Sequence, residues 1–174
     1  IDEPLPDVMI NALTVMARDN FEKICAYVKK PYKYADLRHN LSNNILKTYY
    51  DRDKKRFFFS EDNRVYTELA NALCVLCDIA PPQDAKDICR ALADGEMDAC
   101  TLSMRVFKYD ALLKTDCGQY ARTVLDEIRR DYSKMLDAGS TTVWETMEGA
   151  AAFSEAGSLC HGWSAVPAYY FRRL

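Results

Sequence analysis

The 174-residue chain is 49% hydrophobic and carries 23 Lys and Arg against 26 Asp and Glu, a formal net charge of −3. That length and apolar content suffice for one compact domain, or for part of a larger one, and exclude a disordered tail. The signs of charge are interspersed, so no basic footprint for nucleic acid or anionic lipid is present, and apolar runs such as 72–77 fall far short of the roughly 20 residues that span a membrane.

The opening IDEPLPD lacks the basic start and apolar middle of a secretory leader, and the first residue is Ile1, so a processed or excerpted chain is expected. From Asp7 onward, Val8, Leu13, Met16, Phe21, Ile24, Tyr27 and Val28 recur at helical spacing until Pro31, which predicts a first helix over 7–29. Leu37, Leu41, Ile45 and Leu46 predict a second over 34–49. The stretch DRDKKRFFFSEDNR then joins charge to three phenylalanines and reads as a loop with a short strand over 56–60, its charges forming a solvated rim.

The pattern TELANALCVLC predicts a third helix over 65–78. Pro81 and Pro82 stop it and start the next, because proline fits the first turn of a helix but not its interior. A fourth helix over 84–94 ends at Gly95, where a left-handed cap is expected. A fifth is predicted over 99–114, a sixth over 118–137 with Gly139 as terminator, and a short seventh over 165–172. The fold class is therefore all-α. Short connections make neighbouring helices antiparallel hairpins, first with second, third with fourth and fifth with sixth. No fixed-period repeat or linker divides the chain, and a single helical domain over 1–174 is expected.

Seven cysteines lie mostly inside apolar helical patterns, where a thiol acts as a small hydrophobe. Cys74 and Cys77 have a CxxC spacing but sit in an apolar helix without a second close pair, so they read as core rather than as metal ligands. Cys160 beside His161 makes a poor nucleophile and base, because adjacent side chains project in different directions. His39, in a polar helical stretch, reads as a surface or hairpin-contact residue. No metal or organic cofactor is expected.

The segment 141–171, TTVWETMEGAAAFSEAGSLCHGWSAVPAYYF, is different in kind. It concentrates both tryptophans and one of the two histidines around Glu145, in a loop rich in small residues that let chain segments approach closely. Trp144 and Trp163 supply flat apolar faces, and Glu145 and His161 a carboxylate and an imidazole. Such groups stack on and hydrogen-bond a sugar ring. The same residues also suit a packed network that merely fixes the last helix.

TTVWET followed by SLCHGWSAVPAYYF resembles the closing part of the catalytic domain of bacterial α-L-rhamnosidases, which are six-hairpin (α/α) toroids. In that family a TTxWE stretch and an SxxHxWSxxP stretch occur in this order; here they are Thr141, Thr142, Trp144 and Glu145, then Ser158, His161, Trp163, Ser164 and Pro167. The resemblance implies that the three hairpins are about half of such a toroid, forming its carboxy-terminal part. It implies that Glu145 is the general base of an inverting glycoside hydrolase acting on α-L-rhamnosides. His161 would then contact a sugar hydroxyl or the attacking water, and Trp144 and Trp163 would wall the pocket. The family's general acid lies in an upstream acidic motif without a counterpart here, since Asp110, Asp116 and Glu148 lack the surrounding pattern, so the isolated chain is expected to be inactive. Exposed half-toroid surface favours a homodimer or larger species. Two rival readings are a non-catalytic helical binding module and a six-hairpin glycosidase of other specificity. A Glu145 open at the concave end beside Trp144 and His161 favours the hydrolase, and one sealed in a helix interface with a basic partner favours the module.

Overall fold

The computed structural model describes residues 7–174, so the first six positions of the opening IDEPLPD lie outside it. The regular elements of the described residues are helices and one two-stranded sheet, and these residues divide into two compact units, the first ending at Asp98 and the second Ala99–Leu174.

In the first unit, α1 (Val8–Tyr27) begins where the Asp7 carboxylate accepts from the Ile10 N–H at 2.8 Å, capping an otherwise orphaned donor. Val8, Ala12 and Val15 form its buried stripe, and Lys29, with φ 55°, ends it in a left-handed cap in which Lys30 N–H reaches the Cys25 carbonyl at 2.8 Å. α2 (Leu37–Tyr49) returns alongside: Arg38 pairs with Asp19 at 3.2 Å and Arg18 donates to the Ala35 carbonyl, so the end of one helix meets the start of the other. His39 is exposed and shares a 2.8 Å hydrogen bond with Asn43. On α1, Ile10, Leu13, Phe21, Ile24 and Val28 form a separate exposed apolar stripe.

The expected strand is shorter than its apolar run. β2 (Arg56–Phe57) pairs antiparallel with β1 (Tyr50–Asp51), which the sequence reading had placed at a helix end and in a loop. The fully buried Asn71 explains this arrangement: its side chain accepts from Phe57 N–H and donates to the Phe57 carbonyl, both at 2.9 Å, replacing a missing third strand. Asn71 belongs to α3 (Glu68–Leu76), which starts later than 65 because Thr67 caps it by accepting from Ala70 N–H. α4 (Pro82–Ala93) starts two residues earlier than expected, with Pro82 in its first turn, and Gly95 takes the left-handed cap at φ 69°. Cys25, Cys74, Cys77 and Cys89 are buried in this unit, and Cys100 is buried in the second.

In the second unit, the expected fifth and sixth helices form one element, α5 (Arg105–Asp137), preceded by a 3₁₀ turn at Leu102–Met104. Asp116 alone leaves helical geometry, with φ −158° and ψ 95°, and its carboxylate caps the second limb by accepting from Gln119 N–H at 3.0 Å. The two limbs fold back on each other. Lys108 meets Glu127 at 2.9 Å and Arg105 pairs with Asp131, contacts between residues 19 and 26 apart that a straight helix would hold tens of ångströms from one another. All four charged groups are buried. Gly139 closes the hairpin at φ 75°, as its position predicts.

α7 (Val166–Arg173) packs on α5, where the fully buried Tyr170 ring stands edge-on to Tyr109 at 5.2 Å and its hydroxyl donates to the Val106 carbonyl at 3.1 Å. Between Gly139 and α7 the chain is irregular. It contains a 3₁₀ turn at Gly149–Ala151 and the single turn α6 (Ala152–Glu155), in which Phe153 and Ser154 are left-handed at φ 53° and 59°.

Candidate active site

The irregular segment is organised by pairing of the two motif stretches. Glu145 N–H donates to the Ser158 carbonyl and His161 N–H to the Val143 carbonyl, both at 2.9 Å, and the Thr142 hydroxyl donates to the Leu159 carbonyl. These bonds run in antiparallel register, 145 with 158 and 143 with 161, so TTVWE and SLCH lie side by side. The β-favouring character of STTVWET is used in this short ladder rather than in a sheet.

Two glycines allow the intervening loop to close. A Cβ on Gly149, which is buried at φ 59°, would stand 3.0 Å from the Trp144 ring; one on Gly157 would overlap the Gly149 carbonyl oxygen and lie 3.0 Å from Ala152 Cβ. Gly157→Ala is therefore expected to destabilise this unit by about 1–3 kcal/mol, because a backbone atom rather than a flexible side chain must move. A chemical denaturation midpoint unchanged from the parent would contradict this close approach.

Glu145 is half-buried, and Ser158 N–H donates to its Oε2 at 3.3 Å. Among the described residues no lysine or arginine forms an ion pair with it, and its Oε1 has no hydrogen-bond partner. His161 is half-buried, and its ring stands edge-on to Trp163 at 5.8 Å and 75°. The two tryptophans differ sharply. Trp163 is 76% exposed, whereas Trp144 is half-buried, packs on Gly149 and donates from Nε1 to Ser140 Oγ at 2.9 Å. Trp144 thus has its donor occupied and one face covered, while the Trp163 indole is free to meet a ligand.

The other carboxylates set aside in the sequence have local tasks. Asp116 caps a helix limb, and Asp110 accepts from the Tyr170 hydroxyl at 3.0 Å and pairs with Arg173 at 2.7 Å. Glu148 is exposed, and the nearby Thr146 hydroxyl and its own backbone N–H hold its carboxyl below the usual range. Among the described residues no three His, Cys, Asp or Glu side chains gather to hold a metal ion, and no helix is long and apolar enough to cross a membrane.

A cavity of about 360 Å³ adjoins the first motif, lined by Tyr132, Met135, Leu136, Thr142, Val143 and Pro167 among others. Glu145 does not line it. Tyr132, which the sequence does not single out, also donates to the Ser164 carbonyl at 2.6 Å.

Comparison with known proteins bears on the fold and the family of the chain. No curated protein sequence matches the chain. A solved GH78 family rhamnosidase of Bacillus sp. GL1 is similar, with a TM-score of 0.81 and 25% identity over 95% of this chain and 19% of that one. A rhamnosidase from Klebsiella oxytoca solved with rhamnose bound shares the fold, with a TM-score of 0.69 and 23% identity over 95% of this chain and 32% of that one. The chain thus spans a third or less of the solved chains it matches. Residues 6–174 match the family described as the bacterial alpha-L-rhamnosidase 6 hairpin glycosidase domain, and the chain belongs to that family of glycoside hydrolase domains.

Proposed function

We propose that the chain, both units together, is part of the catalytic domain of an inverting α-L-rhamnosidase that cleaves terminal α-L-rhamnosyl linkages, with Glu145 as general base. The observation that carries this reading is the paired backbone of the two motifs, which holds a half-buried carboxylate with one oxygen oriented by Ser158 N–H and the other unpartnered. A general base needs this combination: a fixed position, and a lone pair free to take a proton from water. Inversion requires a second carboxyl across the sugar, about 6.5–9.5 Å away, to protonate the leaving oxygen. Asp110, Asp116 and Glu148 have the structural or exposed settings given above, so the acid is assigned to a part of the enzyme outside these residues.

Trp163 offers the sugar an exposed face, and His161 is assigned to a sugar hydroxyl or the attacking water. Trp144, tied to Ser140 and Gly149, contributes to the pocket by supporting the stretch that carries Glu145. The exposed α1 stripe is the surface on which a second copy would pair. The purified 174-residue chain is expected to release no phenol from an aryl α-L-rhamnoside, whereas the longer enzyme containing it does so and yields the inverted sugar anomer first by NMR. Turnover by the chain alone would overturn the assignment of the acid, and retention of configuration by the longer enzyme would overturn the mechanism.

A further inference from the structure

Trp163 is the most exposed part of the candidate site and has little of its own to hold it. It lies in the three-residue 3₁₀ turn Gly162–Ser164, whose internal bonds are Ser164 N–H to the His161 carbonyl at 3.0 Å and Ala165 N–H to the Gly162 carbonyl at 3.1 Å. A single 3₁₀ turn is marginal by itself, because few hydrogen bonds offset the backbone freedom it gives up. Yet recognition of a sugar face requires the indole to be placed within about 0.5 Å and 10–20°. Something outside the turn must therefore fix it.

That anchor is visible in the second limb of α5. The Tyr132 hydroxyl donates to the Ser164 carbonyl at 2.6 Å across 32 residues of chain, and Ser164 is fully buried. The 3₁₀ turn Leu102–Met104 also packs against Gly162–Ser164, closing the other side. Tyr132 is itself well placed to serve as an anchor, since its neighbour Asp131 is buried and bound by Arg105 and by Arg130 at 2.7 Å. Burial pushes the Tyr132 phenol up to about 12, so it keeps its proton and remains a donor throughout the neutral range.

We propose that Tyr132 is a positioning residue for substrate recognition: through the Ser164 carbonyl it holds the turn that presents Trp163, and with it the His161 ring, to the sugar. This rests on the assignment of Trp163 and His161 to the sugar pocket, but the mechanical part stands on the chain alone. Tyr132→Phe removes only the donor and keeps the ring that lines the adjoining cavity, so the helical hairpin should persist.

The test has two arms. In the 174-residue chain labelled with 5-fluorotryptophan, Tyr132→Phe should shift and narrow the ¹⁹F resonance of exposed Trp163 and leave that of Trp144 in place as an internal control. Unchanged resonances would overturn the proposal, and movement of both would show a general loss of structure and overturn it equally. In the longer enzyme, Tyr132→Phe should raise KM about tenfold or more with a smaller change in kcat. The same change in a Trp163→Ala background should add clearly less than it does alone, since only its effect through His161 remains. Additive effects would overturn the proposal. If Trp163→Ala leaves KM unaltered while the ¹⁹F result holds, Tyr132 still positions the turn and it is the assignment of Trp163 to the sugar that fails.

Discussion

Glu145→Gln is expected to lower kcat of the complete enzyme by about 10²–10⁴-fold, the range that a positioned general base contributes, while KM stays within a few-fold of its parent value. In free energy this is about 3–5 kcal/mol lost from the transition state alone. The split follows from what the amide preserves. Its carbonyl oxygen still accepts from Ser158 N–H, as Oε2 does at 3.3 Å, and the half-buried volume is nearly unchanged. What disappears is the basic lone pair on the unpartnered oxygen. Steady-state kinetics on an aryl α-L-rhamnoside measure both quantities, and a variant with near-parental kcat would place the base elsewhere.

The largest stability effect is expected at Asp131. Removing one partner of a buried ion pair leaves the other charge without compensation, at a cost of about 3–5 kcal/mol, a large share of the roughly 5–15 kcal/mol that stabilises a typical domain. Asp131→Ala should lose that amount, because Arg105 is buried with it between the two limbs of α5 and the remaining acid, Glu127, stands 3.7 Å from Arg105 while already pairing with Lys108. Replacing both residues with apolar side chains of similar volume, Arg105→Met with Asp131→Leu, should recover most of the loss. Urea titrations of the three proteins decide the matter; a double variant as unstable as the single one would mean that packing, not an orphaned charge, sets the cost.

The same pair gives a pH dependence with a defined sign. Burial alone would push the Asp131 carboxyl up, but hydrogen bonds from Arg130 and Arg105 outweigh it and hold the group below its ordinary value of about 3.9. A carboxyl whose pKa is lower folded than unfolded contributes stability above the unfolded value and loses it as pH falls through the folded one. The gap in stability between the parent and Asp131→Ala should therefore be full at pH 7 and shrink below about pH 4.

Much of the fold was legible in the sequence because its signals are local. Helical periodicity marked the apolar stripes, and Pro31, Pro82, Gly95 and Gly139 marked ends that the structure confirms to within a few residues. Lys29 and Asp78 take left-handed caps without glycine, a strain that pattern reading does not anticipate. The break between 114 and 118 was also readable, but not that Asp116 alone would reverse the chain, since that depends on ion pairs formed between the limbs. β1 and β2 escaped for a similar reason: a two-residue strand is held by the distant side chain of Asn71.

The candidate site was legible as a composition and a motif, not as an arrangement. The sequence brought Trp144, Glu145, His161 and Trp163 into one segment, and the small residues at 149 and 157 announced a close approach. It could not tell the covered indole from the exposed one. That distinction arises from Ser140 and Gly149 on one side and Tyr132 on the other.

The one-residue reversal at Asp116 also bears on the order in which this unit assembles. Contacts between the limbs close loops of at most 26 residues, whereas Tyr170 must find Val106 across 64, a difference of roughly 0.8 kcal/mol in closure entropy. The helical hairpin is thus the natural nucleus, and the motif-bearing segment condenses onto it afterwards. During synthesis the residues assigned to chemistry then find their places only after the helical hairpin that supports them has closed.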